Sequence, residues 1–572
     1  MAGFDWLDMA WVYLVLSRKG VSDKVIQRIK NLYHDSVSVV MVNNIQGRVF
    51  PNIRGSLRQG DKPSMFWFAV GIDPLLNYLE KRLQGILIST MPVLGPTLQN
   101  QTSPILEPMK EEYKVQAYAD DVKPAISTME EFDIVDKACT LLEKASGVKL
   151  HRDPATEKVK FLPLGRWQGT LTQEDIPHHY MRLSDHLDFI GVELRSTFSQ
   201  TRRVNGELLQ NRIKNIVGPW KAGRFMDLSQ RAFSANCYGL SKVWYKCNVI
   251  NLRMQDQTFI TSQVKSWLYQ DLLVKPAELV LYRPITGGGL GLMNVSVRSL
   301  ALLIRTFLET SINPNFRHSL FHEHLFRYHV MGEHSLPDPG FTPYYNRDFF
   351  QTICRFRDSS CLNIASLSTK QWYKLLLEDK ILMKKADEEA PTALLPLRCE
   401  EFHPNNDWEQ VWANLRTKGL GSELVSFQLK LLHNLLPTQE RIARAGLHEG
   451  DPGLCLQCRS EREDQLHAFF ECRKSLLVGL ALLGCVQQLL PDLTPEAAVL
   501  LDLGISLGEE ENLAALVMLT TGLKYIWEAR MARKTISTYK MRAEMEMRVT
   551  IMRKSRHKTA ADLIGNLIQI IR

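Results

Sequence analysis

The sequence predicts an α+β protein in which short antiparallel strands and helices share the first third and helices dominate the rest. Short β-branched or apolar runs alternate with turn residues as far as residue 195, whereas apolar residues at helical spacing prevail from about residue 205 onward. The chain of 572 residues exceeds what one hydrophobic core supports, so we expect several domains.

The elements of the first third follow from these patterns. Helices are expected at three places: 11–32 with a break at Gly20, 64–83, and 130–146, which Gly147 closes. Short strands are expected at 37–42, 49–50, 115–118, 122–126, 159–164 and 189–194. Turn residues separate the first two strands: Asn43, Asn44 and Gly47. Residues 90–112 contain four prolines and predict a loop.

Beyond residue 205 the pattern is mainly helical, and a glycine-rich segment at 284–292 interrupts it. Residues 331–400 contain proline-rich patches and predict a connecting region. Residues 405–475 combine tryptophan-bearing helices with a cluster of cysteines, and the remainder predicts further helices.

Positive charge is concentrated near the C-terminus. Residues 524–558 hold eleven basic and three acidic residues, whereas the rest of the chain balances 59 basic against 59 acidic residues. Helix breakers are few there, so we expect a helix with a cationic face that includes Arg530, Arg533, Lys534, Arg553, Lys554 and Arg556. Such a face is typical of a solvated surface or of phosphate binding, and the methionines among these residues leave a membrane-surface helix open.

The bulk properties indicate an intracellular protein of the nucleus or the cytoplasm. Residues 1–19 lack the basic segment of a signal peptide, and the longest apolar run, Leu476–Val486, is shorter than the roughly 20 residues that span a bilayer. Ten cysteines in a chain of this length do not make a disulfide framework, so we expect a reducing compartment and no membrane partner.

Two adjacent carboxylates stand between two apolar strands. The order Tyr118-Ala119-Asp120-Asp121 would place both aspartates at the tip of a tight turn. Carboxylate oxygens suit Mg²⁺, which completes its shell with water and substrate phosphates, and a pair of such ions can activate a hydroxyl and stabilise a leaving pyrophosphate. Alone, such a pair more often belongs to a turn or a helix cap.

A second cluster has metal-ligand spacing. Cys455, Cys458, His467 and Cys472 supply three sulfurs and one imidazole within 18 residues. A Cys-x2-Cys turn places two thiolates on one side of an ion, and a helix from about Asp464 could bring the other two ligands to it. The pattern predicts a structural zinc site with no open position. Three reduced cysteines and a surface histidine are the alternative.

Taken in order, several motifs resemble the reverse transcriptases of non-LTR (LINE-class) retrotransposons. Residues 118–121 resemble the catalytic box of that family, residues 54–61 the segment that supports template and nucleotide, and residues 189–192 the primer-grip hairpin. The family's thumb and the segment after it are resembled by Arg231, Trp244, Tyr245 and residues 287–292. Its zinc-knuckle region is resembled by Trp408, Trp412 and residues 433–437. The resemblance extends to about residue 535.

The resemblance implies an RNA-directed DNA polymerase in which Asp120 and Asp121 hold Mg²⁺. It implies that Tyr118 belongs to the nucleotide site and that three residues contact nucleotide, template or phosphate: Arg58, Gln59 and Gly60. The implied partners are template RNA, target DNA and deoxynucleoside triphosphates. The oligomeric state stays open.

Two further roles in the resemblance have simple structural alternatives. Phe4 matches the residue that excludes a 2′-hydroxyl, but it also suits a core position beside a helix. Lys158 or Lys160 matches the lysine that could protonate pyrophosphate, but surface lysines on a strand would look the same.

The implied organisation has five parts: a palm with partial fingers at 1–195, a helical thumb at 196–330, a connecting region at 331–404, a zinc-knuckle region at 405–480, and a helical basic tail at 481–572. A third catalytic aspartate of the family would fall five residues before Phe4, ahead of Met1. We therefore expect a chain that starts after the first catalytic strand, lacks the endonuclease, and polymerises poorly alone. A domesticated remnant that binds nucleic acid without synthesis, or a product with no stable fold, are the alternatives.

Overall fold

The structure, a computed structural model, consists of two compact units. The first comprises Met1–Asn205, Val249–Asn251 and Leu303–Leu367, and the second comprises Gly206–Asn248, Leu252–Leu302 and Ser368–Arg572. The structure describes residues 6–33, 38–43, 45–50, 63–89, 110–149, 151–156, 158–221, 226–270, 272–313, 320–336, 338–342, 344–359, 363–382, 397–415, 417, 419–447, 453–503 and 508–571.

Four helices form the frame of the first unit before residue 150. They are α1 (Met9–Arg18), α2 (Asp23–Tyr33), α3 (Ser64–Arg82) and α4 (Glu130–Ser146). Asp8 caps α1 by accepting a hydrogen bond from the Ala10 amide at 2.8 Å, and Gly147 ends α4 in the left-handed conformation. Apolar side chains of α3 and α4 pack together in one cluster that includes Leu75, Leu79 and Leu142. The predicted helices, with the break at Gly20, are confirmed.

The strands of this unit form five separate two-stranded sheets. Their bounds are β1 (Ser38–Val42), β2 (Ile45–Phe50), β3 (Ile86–Ser89), β4 (Lys110–Tyr113), β5 (Val115–Tyr118), β6 (Asp121–Pro124), β7 (Lys160–Phe161), β8 (Arg182–Leu183), β9 (His186–Phe189) and β10 (Val192–Arg195). Consecutive strands pair in each sheet, antiparallel except for β7 and β8. Pro124 ends β6 opposite Val115, at the open end of its hairpin, where the missing amide costs least.

Two strand predictions and one loop prediction need correction. The strand predicted at 189–194 contains a turn at Ile190 and Gly191, both with positive φ, so two strands meet there. The strand predicted at 159–164 shrinks to two residues, because its partner β8 is equally short. The loop predicted at 90–112 includes the first residues of β4, which form a strand paired with β3, a strand that was not predicted. Residues 90–109 of that loop lie outside the described residues.

The rest of the first unit is helical. The helix α5 (Phe198–Trp220) starts in it, α10 (Val295–Ile312) ends in it, and α11 (Leu320–Leu325) and α12 (Arg347–Ser359) follow. Phe307 lies at the centre of an aromatic cluster, with the rings of Tyr345, Phe349 and Phe350 between 4.8 and 5.6 Å from its own. The region 331–400, predicted as a connection, therefore contributes packed helix to this unit.

The second unit contains short helices before a long central one. Its helices are α6 (Leu228–Ser234), α7 (Ser241–Cys247), α8 (Met254–Leu268), α9 (Glu278–Tyr282), α13 (Thr369–Leu377), α14 (Arg398–Phe402), α15 (Trp408–Asn414), α16 (Ser422–Leu432), α17 (Gln439–Arg444), α18 (Leu476–Val486), α19 (Pro495–Leu500), α20 (Glu509–Met531), α21 (Thr538–Arg553) and α22 (Lys558–Leu567). Every residue from Leu513 to Leu523 in α20 is buried, so this helix is the core around which α16, α18, α21 and α22 pack. Gly522 permits close contact with Leu482 of α18.

The α+β prediction is thus confirmed at the level of class, with helix in clear excess over short, mainly antiparallel strands. In the part of the chain that the structure describes, no helix is both long and apolar enough to cross a membrane.

Candidate functional site

The adjacent aspartates lie at the tip of the β5–β6 hairpin, as predicted. Tyr118 pairs with Asp121, so the turn consists of Ala119 and Asp120 alone. Ala119 adopts a φ of 52°, in a region that costs a non-glycine residue about 1–2 kcal/mol. This conformation lets a two-residue turn follow the twist of the strands, and it brings two carboxylates next to each other at one end of the hairpin.

The two carboxylates have different partners. Asp121 forms an ion pair with Lys123, two residues further along β6 and therefore on the same face of the strand. Among the residues that the structure describes, the Asp120 carboxylate has no hydrogen-bond or ion-pair partner. Asp120 is therefore free to accept a cation, whereas Asp121 would have to release Lys123 first.

Both aspartates line a cavity of about 940 Å³ within the first unit. Its apolar wall comes from α3, α4 and the segment after β7, and includes Leu79, Phe132 and Trp167. Its polar lining includes Lys158 and Arg166. A concave, largely apolar site with a few charged groups at one side is typical of a small-molecule pocket.

Lys158 and Lys160 both line this cavity but differ in their contacts. Lys158 is exposed. The Lys160 ammonium lies 3.0 Å from Nε2 of His186, and the other ring nitrogen of His186 lies 2.8 Å from the Asp185 carboxylate. Because an ammonium can only donate, the network assigns the ring proton of His186 to Nδ1. Of the two lysines, Lys160 is the one held in place.

Four other predicted site residues cannot be placed. Phe4, Arg58, Gln59 and Gly60 lie outside the described residues. Tyr118 ends β5 with most of its side chain exposed, so it adds an aromatic surface beside the carboxylates.

The cysteine–histidine cluster of the second unit is brought together as predicted. One ligand atom from each of Cys455, Cys458, His467 and Cys472 lies within 4.8 Å of all the others, and all four residues are buried. The two cysteines of the Cys-x2-Cys turn lie in the loop of a short hairpin that Leu454 and Arg462 close. A helical turn from Gln465 through Glu471 presents the other two ligands, close to the predicted start.

The separations fit a tetrahedral metal ion. The sulfurs of Cys455 and Cys472 are 3.9 Å apart, and the sulfur of Cys458 lies 3.4 Å from Nε2 of His467. A tetrahedral zinc with usual bond lengths would set sulfur–sulfur distances of about 3.8 Å and sulfur–nitrogen distances of about 3.6 Å. Four buried protein ligands would leave no open position on a tetrahedral ion, so this donor set could hold a metal and is compatible with structural zinc.

The ionisation of the thiols differs across the cluster. Burial raises the pKa of Cys455 to about 11. Burial also acts to raise the pKa of Cys458, but hydrogen bonds from Ser460 and the Glu461 backbone outweigh it and lower the value to about 6. Cys458 is therefore ready to bind a metal ion as a thiolate, whereas Cys455 must lose its proton when the metal arrives.

Two groups beside the ligands were not predicted from the sequence. The Glu461 carboxylate lies 3.0 Å from Nδ1 of His467, which is ion-pair distance, although the two groups are not aligned for a hydrogen bond. Nδ1 is the ring nitrogen that does not point at the cluster, so Glu461 lies behind the histidine ligand. Arg530 reaches the Cys455 sulfur from the last turn of α20. The prediction that placed Arg530 on a cationic surface is wrong, because its side chain is only 3% exposed. Adjacency could have suggested Glu461, but Arg530 is 75 positions away from Cys455.

Basic residues surround this cluster on the outside. Arg459, Arg462, Arg473 and Lys474 are exposed, and Arg473 donates a hydrogen bond to the Cys458 carbonyl. No protein-family model matches the chain.

Proposed function

We propose that this chain is the polymerase portion of a non-LTR retrotransposon reverse transcriptase, which adds deoxynucleotides to a primer along an RNA template. The observation that carries the proposal is the Tyr118–Asp121 hairpin, with two adjacent carboxylates that line a cavity also lined by Lys158 and Lys160. A nucleoside triphosphate needs such a combination, because carboxylates bind its metal ions and ammonium groups bind its phosphates.

In this proposal Asp120 and Asp121 would hold Mg²⁺, which when bound activates the primer hydroxyl and stabilises the leaving pyrophosphate. Asp120, whose carboxylate has no partner in the part of the chain that the structure describes, would be the stronger ligand of the two, because Asp121 is already paired with Lys123. Lys160 is the better candidate for protonating the pyrophosphate, since His186 and Asp185 fix its position. Lys158 would then contribute charge to phosphate binding.

The proposal includes weak activity for this chain by itself. In the described residues, the only group of three or more candidate ligands is the cysteine–histidine cluster, so no third carboxylate joins Asp120 and Asp121. Two carboxylates bind Mg²⁺ less tightly than three. The same observation favours a second candidate function, a remnant that binds RNA or DNA without synthesis.

The cysteine–histidine region would serve either function as a rigid platform. A closed metal site fixes the backbone of its loops, and the exposed arginines around it can contact phosphates. Template RNA and target DNA are the proposed partners of that surface.

Primer extension tests the proposal. The purified chain is given a homopolymer RNA template with a DNA primer, Mg²⁺ and the matching deoxynucleotide, and binding of the template–primer is measured in parallel. We expect template–primer binding and slow incorporation that Asp120→Asn abolishes. Asp188→Asn is the matched control, because Asp188 lines the same cavity but belongs to a different hairpin, β9–β10.

The outcomes separate the two candidate functions. Binding without any incorporation would favour the non-catalytic remnant. Robust incorporation lost in Asp120→Asn would contradict the weak activity expected from two carboxylates. A chain that neither binds the template–primer nor incorporates nucleotide would exclude both functions.

A further inference from the structure

A buried ion pair lies against the cysteine–histidine cluster. The guanidinium of Arg530 donates from Nη2 to the Glu463 carboxylate at 2.8 Å and to the Cys455 sulfur at 3.2 Å. The side chains of Arg530 and Glu463 are 3% and 7% exposed. One arginine nitrogen is therefore shared between a carboxylate and a candidate metal ligand in a site that excludes water.

Other contacts bind the same helix end to the same loop. The Gln457 side chain donates to the Arg530 carbonyl at 3.2 Å, while the Gln457 backbone amide points to the Cys455 sulfur at 3.4 Å. One turn earlier in α20, the ring of Trp527 lies 6.2 Å from that of Phe469, which sits between the two later ligands. The end of α20 thus touches both halves of the cluster.

The charges explain why an arginine stands there. Three thiolates and a neutral imidazole give a divalent ion one excess negative charge, and Glu463 adds another. Buried anions are costly without a cation, and Arg530 is the cation that contacts both Glu463 and Cys455. Among the described residues, the buried Nη1 atom of Arg530 has no hydrogen-bond partner of good geometry, and the guanidinium also interacts with the Cys472 sulfur, so it has donor capacity toward the sulfurs of the cluster.

We propose that Arg530 is a positioning residue of the metal site, which holds the Cys455 thiolate through a charge-assisted hydrogen bond from α20. The metal site then comprises more than the segment that carries its four ligands, because the last turn of α20 supplies a partner that the segment lacks. Zinc binding and the docking of α20 stabilise each other. This inference rests on the cysteine–histidine cluster and is independent of the polymerase proposal.

Zinc affinity of the full-length chain tests the inference. The metal is removed, and zinc is then added back in competition with a chromophoric chelator. The zinc equivalent that the wild type binds and Cys458→Ser does not bind is the one held by the cluster. We expect Arg530→Met, which keeps an unbranched side chain about as long as the aliphatic part of arginine but removes the guanidinium, to weaken binding by about 10- to 100-fold. Arg533→Met is the matched control, since Arg533 lies one turn away and is exposed. It should bind like the wild type.

A double variant distinguishes action on Cys455 from a purely structural role. In Arg530→Met with Glu463→Gln, no unpaired carboxylate remains, so any penalty from Glu463 is removed. We expect zinc binding to stay weak, because the Cys455 thiolate still lacks its donor. Recovery of wild-type affinity in the double variant would overturn the proposal, and so would an Arg530→Met affinity within about twofold of the wild type.

The absorption spectrum of cobalt bound in place of zinc provides a second test, which does not depend on Arg530→Met being folded. Arg530→Lys keeps the positive charge in place, and we expect a folded chain whose sulfur-to-cobalt absorption band shifts relative to the wild type, because the hydrogen bond to a bound sulfur changes. An unchanged band would overturn the proposal. A wild-type chain that takes up no metal at the cluster would overturn the metal site and this inference together.

Discussion

Asp120 and Asp121 are neighbours in sequence, yet their surroundings assign them different tasks. The strand period of two places Lys123 beside Asp121, whereas Asp120 lies in the turn and forms no ion pair with that lysine. The ammonium of Lys123 occupies the position at which a cation on Asp121 would bind. Metal binding to the pair must therefore compete with an ion pair inside the protein.

This competition gives a prediction for Lys123→Met. Removing the ammonium should tighten binding of Mg²⁺ or Mn²⁺ at the hairpin by about 1.4- to fivefold, which corresponds to the roughly 0.2–1 kcal/mol of a partly exposed ion pair. Paramagnetic Mn²⁺ titration measures the change. Lys158→Met is the control, because it removes the same charge from the same cavity without freeing a carboxylate. Equal effects of the two substitutions would show that only the total charge of the cavity matters.

Individual site residues could be predicted from the sequence where they lie close together along the chain. The spacing of Cys455, Cys458, His467 and Cys472 predicts the cluster because 18 residues can surround one ion only in a few ways. Arg530 could not be predicted, since its position depends on how α20 packs against the cluster. The contact between Lys160 and His186 could not be predicted either, because it depends on how two segments distant in sequence pack together. The ion pair of Asp121 with Lys123, in contrast, follows from strand periodicity.

The glycine-rich segment at 284–292 and the tryptophan-bearing helix α15 meet in the second unit. Gly288, with a φ of +79°, lies against the ring of Trp412, and its carbonyl accepts a hydrogen bond from Nε2 of His433 at 2.6 Å. The rings of Trp412 and His433 are stacked 5.5 Å apart. Burial lowers the pKa of His433 to about 4, so the ring is neutral at physiological pH. Three motifs singled out in the sequence thus build one structural junction.

Gly288→Ala should be strongly destabilising. A Cβ at this position would lie 2.5 Å from the Trp412 ring, and the positive φ adds a backbone penalty. We expect a loss of about 2–5 kcal/mol in the free energy of unfolding, measured as a lower urea midpoint. Gly446→Ala has a similar φ of +69° with no atom within 4 Å, so it should cost only about 1–2 kcal/mol. Similar losses in both variants would contradict the contact with Trp412.

Elements with strong local signals were predictable, and paired short strands were not. The helix at Glu130–Ser146 has a clear apolar period and a glycine at its end, and its predicted bounds agree with the structure. The pairing of β3 with β4 joins segments separated by more than 20 residues, so nothing local specifies it. The sequence pattern predicts residues 190–191 as part of a strand, but both residues have positive φ values in the structure and form a turn.

Across the whole molecule, the positive charge of the C-terminal region is less free than composition indicates. Five of the eleven basic residues between 524 and 558 form ion pairs with carboxylates, several of them from elsewhere in the second unit: Lys524 with Glu423 and Glu528, Arg530 with Glu463, Arg542 with Glu546, Arg548 with Glu423, and Arg553 with Asp562. The other six are exposed and pair with no carboxylate among the described residues: Arg533, Lys534, Lys540, Lys554, Arg556 and Lys558.

These six cations form two groups at opposite ends of α21. The first group is Arg533, Lys534 and Lys540, and the second is Lys554, Arg556 and Lys558. The 16 residues of α21 separate the groups by about 24 Å. If these cations bind phosphate, a nucleic-acid strand would therefore be held at two places.

Salt dependence of RNA binding tests whether the free cations, and not the total charge, hold nucleic acid. Changing all three residues of either group to glutamine should reduce the slope of log affinity against log salt by about 2, since each contact to a single strand contributes about 0.7. The matched control changes Arg542, Arg548 and Arg553 to glutamine. It removes the same charge, but these residues are already paired with carboxylates, so the slope should change far less. If the control lowers the slope as much as either group, binding depends on the overall field of the unit.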